Sequence, residues 1–235
     1  MRCVLLHGFA GDPASWDDVA IEGDRIPLPG HLGGGPVAPT WAANLDALAA
    51  RIGRCDLVIG YSLGARVALG LVASGHAPRG ILISVNPGIS DPERPARRAA
   101  DAAWAERART QGIAAFIDAW QAQPLFATQH RAPADRLAAR RARRLALDPE
   151  QLAQSLETMG LAEMPDYRSL IDHRFALIAG ADDAKYVAIA RALPAPLELI
   201  ADSGHDPLLE QPERLRGTVS LLSRFSARPG PGASL

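Results

Sequence analysis

Short runs dominated by apolar residues recur along the chain, and most are followed by a stretch of helical spacing. The runs cover 3–6, 56–60, 80–85, 175–180 and 197–201, with a shorter and weaker one at 25–28. Apolar runs without strict alternation fit strands covered on both faces, the condition of a parallel sheet. In 41–52 the residues Leu45, Leu48 and Ile52 share one helical face, and 62–74, 183–193 and 212–225 also read as helices. This alternation predicts an α/β protein with a mostly parallel sheet and right-handed crossovers. It breaks between about 90 and 170, where helical stretches follow one another (95–111, 112–121, 133–147 and 149–160) and no strand is legible. The expected organisation is therefore a core of 1–89 and 171–225, an all-helical lid of 90–170 over the C-terminal edge of the sheet, and a disordered Pro- and Gly-rich tail of 226–235. With the first strand starting at residue 3, no hairpin precedes it, and the sheet is expected to be shortened at its N-terminal edge.

Composition narrows the function classes. Of 235 residues 48% are hydrophobic and the formal net charge is −1. That allows a sizeable core and gives no electrostatic reason to expect a nucleic-acid partner. Cys3 and Cys55 border strands and form no CxxC pair, so both are expected as buried free thiols in a reducing compartment. No signal-like segment opens the chain and no apolar run could span a bilayer, so the expected setting is cytoplasmic, without a membrane partner. The six histidines show no metal-type spacing, and the glycine-rich loop 29–36 lacks the GK[ST] ending of a phosphate loop. Neither a metal nor an organic cofactor is expected. Between 90 and 150 eleven arginines face eight acids. Arg136, Arg140, Arg141, Arg143 and Arg144 read mostly as a solvated helix face.

The chemistry starts from Gly60-Tyr61-Ser62-Leu63-Gly64, which lies between a strand and a helix. GxSxG in that context predicts a nucleophile elbow, with glycines where strand and helix approach closely and a strained serine at the apex. Two further residues complete a relay. Asp183 follows the strand at 175–180, and His205 follows the one at 197–201. The chain order Ser, Asp, His is that of α/β-hydrolases, and each residue sits after the C-terminal end of its own strand. Asp182 competes with Asp183 and is expected to cap the helix instead. The amides of Leu63, after the nucleophile, and of Phe9, in the His7-Gly8-Phe9 turn, are the expected oxyanion donors. His7 itself is expected to be structural. Arg66, one helical turn after Ser62, places a permanent cation beside the nucleophile and suits a substrate that carries carboxylates.

These residues resemble the 2-succinyl-6-hydroxy-2,4-cyclohexadiene-1-carboxylate synthase family of menaquinone biosynthesis, lyases of the α/β-hydrolase fold. The resemblance runs through His7-Gly8-Phe9, Leu28-Pro29-Gly30-His31, the Tyr-Ser-Leu-Gly-x-Arg elbow, Asn86-Pro87-Gly88, Arg97 to Trp104, Trp120-x-x-Gln-Pro-x-Phe126, and the segments around Asp183 and His205. Ala65 where a second glycine is usual, Asn86 where some members have histidine, and the lack of a leading hairpin depart from the pattern. The resemblance implies Ser62, Asp183 and His205 as catalytic, with Arg66, Arg97, Arg144, Tyr61 and Trp120 around the substrate. Arg140, Arg141 or Arg143 could replace Arg144. It also implies elimination of pyruvate from 2-succinyl-5-enolpyruvyl-6-hydroxy-3-cyclohexene-1-carboxylate, a small-molecule tricarboxylate, without cofactor. A monomer or homodimer is expected, the missing hairpin leaving an edge at which copies could pair. A serine carboxylesterase or thioesterase of the same fold is the alternative, and a non-catalytic binding protein is a third reading.

Overall fold

The computed structural model describes residues 1–225. The 226–235 tail lies outside them. Six strands form one sheet: β1 (Cys3–Leu6), β2 (Asp24–Ile26), β3 (Leu57–Tyr61), β4 (Gly80–Ile83), β5 (Phe175–Gly180) and β6 (Leu197–Ile200). Their order is β2-β1-β3-β4-β5-β6 and all five pairings are parallel. The weak run near 25–28 becomes β2, three residues at the sheet edge and displaced slightly toward the N-terminus of its expected place.

The apolar runs have no polar alternation because both sheet faces are covered. Val4, Leu6, Val58, Leu82 and Leu177 pack into one core, while Cys3, Leu5, Ile59, Ile81 and Ile178 pack into another. The first core takes its cover from α1 (Trp41–Ile52) and α2 (Leu63–Ala73), and the second takes Leu215, Val219 and Leu222 of α8 (Pro212–Phe225). Fully burying one such aliphatic side chain stabilises by roughly 1.5–3 kcal/mol. Local polar groups set where helices begin. Thr40 Oγ1 accepts the Ala43 amide ahead of α1, at 3.1 Å.

Between β4 and β5 the chain is helical, as expected: α3 (Arg94–Gln121), α4 (Ala134–Arg144) and α5 (Pro149–Met159). The two helices expected on either side of residue 112 join at a kink, where Gly112 has φ 75°. Several short elements escaped the periodicity, two of them beside the site. One is the 3-10 helix Pro124–Arg131, and the other is α7 (Pro207–Glu210), which follows α6 (Ala184–Arg191) and β6. Each is too short to show a repeat. Helices α3 and α5 share a small core of their own around Phe116, Ile117, Leu152 and Leu156, which Ala10 joins from the loop after β1. Among the described residues no helix is long and apolar enough to cross a membrane.

The strand order reverses direction between β1 and β3. From β1 the chain moves to β2 on one side, then crosses to β3 on the other. Open α/β sheets hold their ligands in the crevice outside such a switch point. Here the 7–9 turn and the residue after β3, Ser62, stand at its two lips.

Candidate active site

Ser62 has φ 52° and ψ −108°, a left-handed backbone that a side chain other than glycine rarely adopts. The neighbouring glycines make that turn possible. A Cβ on Gly60 would stand 2.1 Å from Gly64 O, and one on Gly64 would stand 2.4 Å from Leu6 O and 2.5 Å from His7 O. Strand β3, helix α2 and the turn after β1 are thus in backbone contact at the elbow. The serine is lifted to the start of α2, where helical amides have no partner inside the helix.

The three expected catalytic residues meet there. His205 Nε2 lies 3.1 Å from Ser62 Oγ, and His205 Nδ1 lies 2.8 Å from Asp183 Oδ2. His205 and Asp183 are buried, which protects the pair from competing water. Asp183, not Asp182, caps α6: its Oδ1 accepts the Tyr186 amide at 3.2 Å. Asp182 instead pairs with Arg131 near the surface. The expectation for Asp182 was therefore wrong. Successive residues in a turn point to opposite sides, so only one can serve both the helix end and the histidine. The imidazole of His205 is walled by Tyr186, Tyr61 and Phe126, with ring centroids 4.4, 5.7 and 6.0 Å away.

Above the triad lies a cavity of about 860 Å³. Phe9, Tyr61, Ser62, Leu63, Arg66, Arg97, Trp120, Arg144, Asp183 and His205 all line it, so it collects every expected site residue. The Phe9 and Leu63 amides have no acceptor among the described residues. Trp120 sits in an aromatic group with Phe9, Trp104 and Phe116, at 4.8, 5.0 and 5.8 Å between centroids.

The arginines separate into two kinds. Arg66 Nη1 donates to Met159 O at 2.9 Å, and Arg144 Nε donates to Ala10 O at 3.0 Å, but neither meets a carboxylate among the described residues. Burial pushes Arg66 down to about 10, with the charge of Arg97 adding to the effect. It pushes Arg144 down to about 9, with Arg140 adding. Both stay cationic at neutral pH. Arg144 Nη1 is buried and has no partner among the described residues. Arg97 differs: its Nε holds Asp101 at 2.8 Å, and its side chain is 37% exposed.

The solvated face expected for the helix that became α4 holds only for Arg141, which pairs with the exposed Asp118. Arg136 reaches Asp18, Arg140 reaches the buried Asp206 at 2.6 Å, and Arg143 reaches Asp12 at 2.8 Å. These acids lie in core loops more than a hundred residues before α4 or some sixty after it, so nothing near α4 in sequence announces them. Ser155 was not singled out from sequence. It is buried, lines the cavity, and its Oγ has no partner among the described residues. A lone serine in a helix carries no signal that could have found it.

Two histidines near the site are structural, as expected for His7. Its Nε2 accepts the Leu28 amide at 3.1 Å, and His31 Nε2 accepts the Ala10 amide at 3.0 Å. Together they tie the loop after β1 to the loop after β2. Burial pushes His7 down to about 4 and His31 to about 3. Both are neutral in the fold yet protonate near 6.5 once unfolded, so between those values the unfolded chain binds more protons. Stability is then expected to fall as pH drops from about 6.5 toward 4, by up to about 1.4 kcal/mol per pH unit for each histidine. Denaturant titrations at several pH values check this, and His31→Gln should flatten the slope.

A family model, that of the alpha/beta hydrolase family, matches residues 3–218. The 2-succinyl-6-hydroxy-2,4-cyclohexadiene-1-carboxylate synthase of Klebsiella pneumoniae is 36% identical over 228 residues, covering 89% of this chain and 88% of that protein. The synthase of the same name from Enterobacter sp. is 31% identical, covering 97% and 93%. The chain belongs to this synthase family within the alpha/beta hydrolases. Among solved structures, MenH from S. aureus superposes with a TM-score of 0.89 at 26% identity, covering 97% of this chain and 95% of that one. A thermophilic esterase from Thermogutta terrifontis, with malate bound, reaches 0.79 at 26% identity, covering 97% and 91%.

Proposed function

We propose that this protein eliminates pyruvate from 2-succinyl-5-enolpyruvyl-6-hydroxy-3-cyclohexene-1-carboxylate to give 2-succinyl-6-hydroxy-2,4-cyclohexadiene-1-carboxylate. One observation carries the reading: a connected Ser62–His205–Asp183 relay opens into the same cavity as two guanidinium groups, Arg66 and Arg144, that have no acid partner among the described residues. Leaving fixed cations unneutralised at a largely buried site costs free energy. An anionic ligand offsets that cost, and a neutral ester does not.

In this reading His205 takes the Ser62 proton, and the resulting alkoxide removes a ring proton from the substrate. Asp183 stabilises the imidazolium and holds its tautomer. Charge moving onto the succinyl carbonyl is held by the Phe9 and Leu63 amides. The C–O bond to the enolpyruvyl group breaks as the ring gains its second double bond, and the departing group takes up a proton to become pyruvate. No acyl-enzyme forms. Arg66 and Arg144 clamp carboxylates, Arg97 offers a third cation at the price of loosening Asp101, and Tyr61 and Trp120 shape the walls. The helices of 90–170 act as a lid that encloses the substrate.

The likeness to an esterase favours a second reading, ester hydrolysis by the same triad. Pyruvate release from the enolpyruvyl substrate, measured beside hydrolysis of a short p-nitrophenyl ester, separates the two. Pyruvate release is expected to exceed ester turnover by orders of magnitude. Robust ester cleavage without pyruvate overturns the assignment.

A further inference from the structure

Glu210, the last residue of α7, is a buried carboxylate with no cation in salt-bridge range among the described residues. Burial pushes its carboxyl above the usual range. A buried acid without a counter-charge is a destabilising choice for a fold, and such groups concentrate where function needs them. The contacts of Glu210 are specific. Oε2 accepts the Gly204 amide at 2.8 Å, and Oε1 accepts the Asp206 amide at 3.4 Å. These are the two amides on either side of His205. From the opposite direction, Ser84 Oγ donates to the carbonyl of His205 itself at 2.9 Å. The main chain of the catalytic histidine is therefore gripped at three consecutive residues, while its ring is free to bond only Asp183 and Ser62.

We propose that Glu210 is a positioning residue for His205: its two carboxylate oxygens hold the flanking amides, so that Nε2 stays in reach of Ser62 Oγ. Glu210 does not line the cavity, so it acts through the histidine and not on substrate. The residue type follows from the geometry. Each amide is met by its own oxygen, and a carboxylate supplies two equivalent acceptors. Glutamine supplies one oxygen and turns an NH₂ group toward the second amide. A histidine displaced by about 1 Å costs on the order of 100-fold in rate.

This rests on the triad reading but not on the identity of the substrate. The test uses full-length Glu210→Ala and Glu210→Gln, with kcat and KM for pyruvate release and the rate of Ser62 labelling by a fluorophosphonate. Glu210→Ala is expected to lower kcat by about 10–100-fold with KM within twofold. Labelling should slow by the same factor. Glu210→Gln, which keeps the shape and one of the two bonds, should fall between that variant and the wild type. Unchanged kcat and labelling in Glu210→Gln overturn the proposal, as does a loss in which KM rises as steeply as kcat falls. Should the wild type release no pyruvate, the substrate reading fails while the labelling ratio still decides the role of Glu210.

Discussion

Ser62→Ala is expected to lower kcat for pyruvate release by about 10²–10⁴-fold, the usual contribution of a positioned proton acceptor, with KM little changed. The serine sits between His205 and the cavity, with its Oγ 3.1 Å from Nε2. If Ser62 takes the ring proton, its removal leaves the imidazole one residue's reach short of the substrate. If the imidazole takes that proton directly, the variant keeps most of its turnover. Single-turnover kinetics decide between them, because binding and proton abstraction separate there. Arg66 and Arg144 remain in Ser62→Ala, so substrate affinity persists. An equally large rise in KM would place Ser62 among the binding groups and sink its role as base.

Arg144→Met should act in the opposite sense on two observables. Among the described residues the buried guanidinium is bonded only through Nε to Ala10 O and is bare at Nη1. Taking away a charge-assisted contact to a substrate carboxylate should cost about 2–5 kcal/mol, or roughly 30- to 4,000-fold in kcat/KM, mostly through KM. Without substrate, the same change relieves an uncompensated desolvation and a repulsion from Arg140, and methionine fills much of the volume. Tm is expected to rise, by about 2–4 °C for each kcal/mol relieved. A variant that loses both activity and stability would show that Arg144 is held by the fold and not for the substrate. Arg144→Lys should recover only part of the affinity, since an ammonium lacks the paired donors of the guanidinium.

Much of the site was legible before any coordinates. The elbow, the 7–9 turn, Asp183 and His205 each follow an apolar run by a residue or a few, and chain order alone supplies the roles. Apart from Arg144, which the resemblance named, the roles of the α4 arginines were not legible. Five of them lie within nine positions, and their partners Asp12, Asp18 and Asp206 are distant in sequence. Periodicity ranks their faces but does not say which face meets the core. Glu210 was invisible for a related reason. Its four-residue helix has no period, and its value lies in two backbone amides that no sequence pattern displays.

Local rules therefore determined the alternation of strands and helices, the helical break, and which turns carry chemistry, because strand burial and glycine-dependent turns depend on residues close together in the chain. Distance in space decided the rest. Only the packed molecule joined Asp183 to a helix end and to His205 at once, left Arg144 without a counter-ion among the described residues, and set Glu210 beneath His205. Charges in a low-dielectric interior interact with whatever the fold brings beside them, and that company is a property of the tertiary structure.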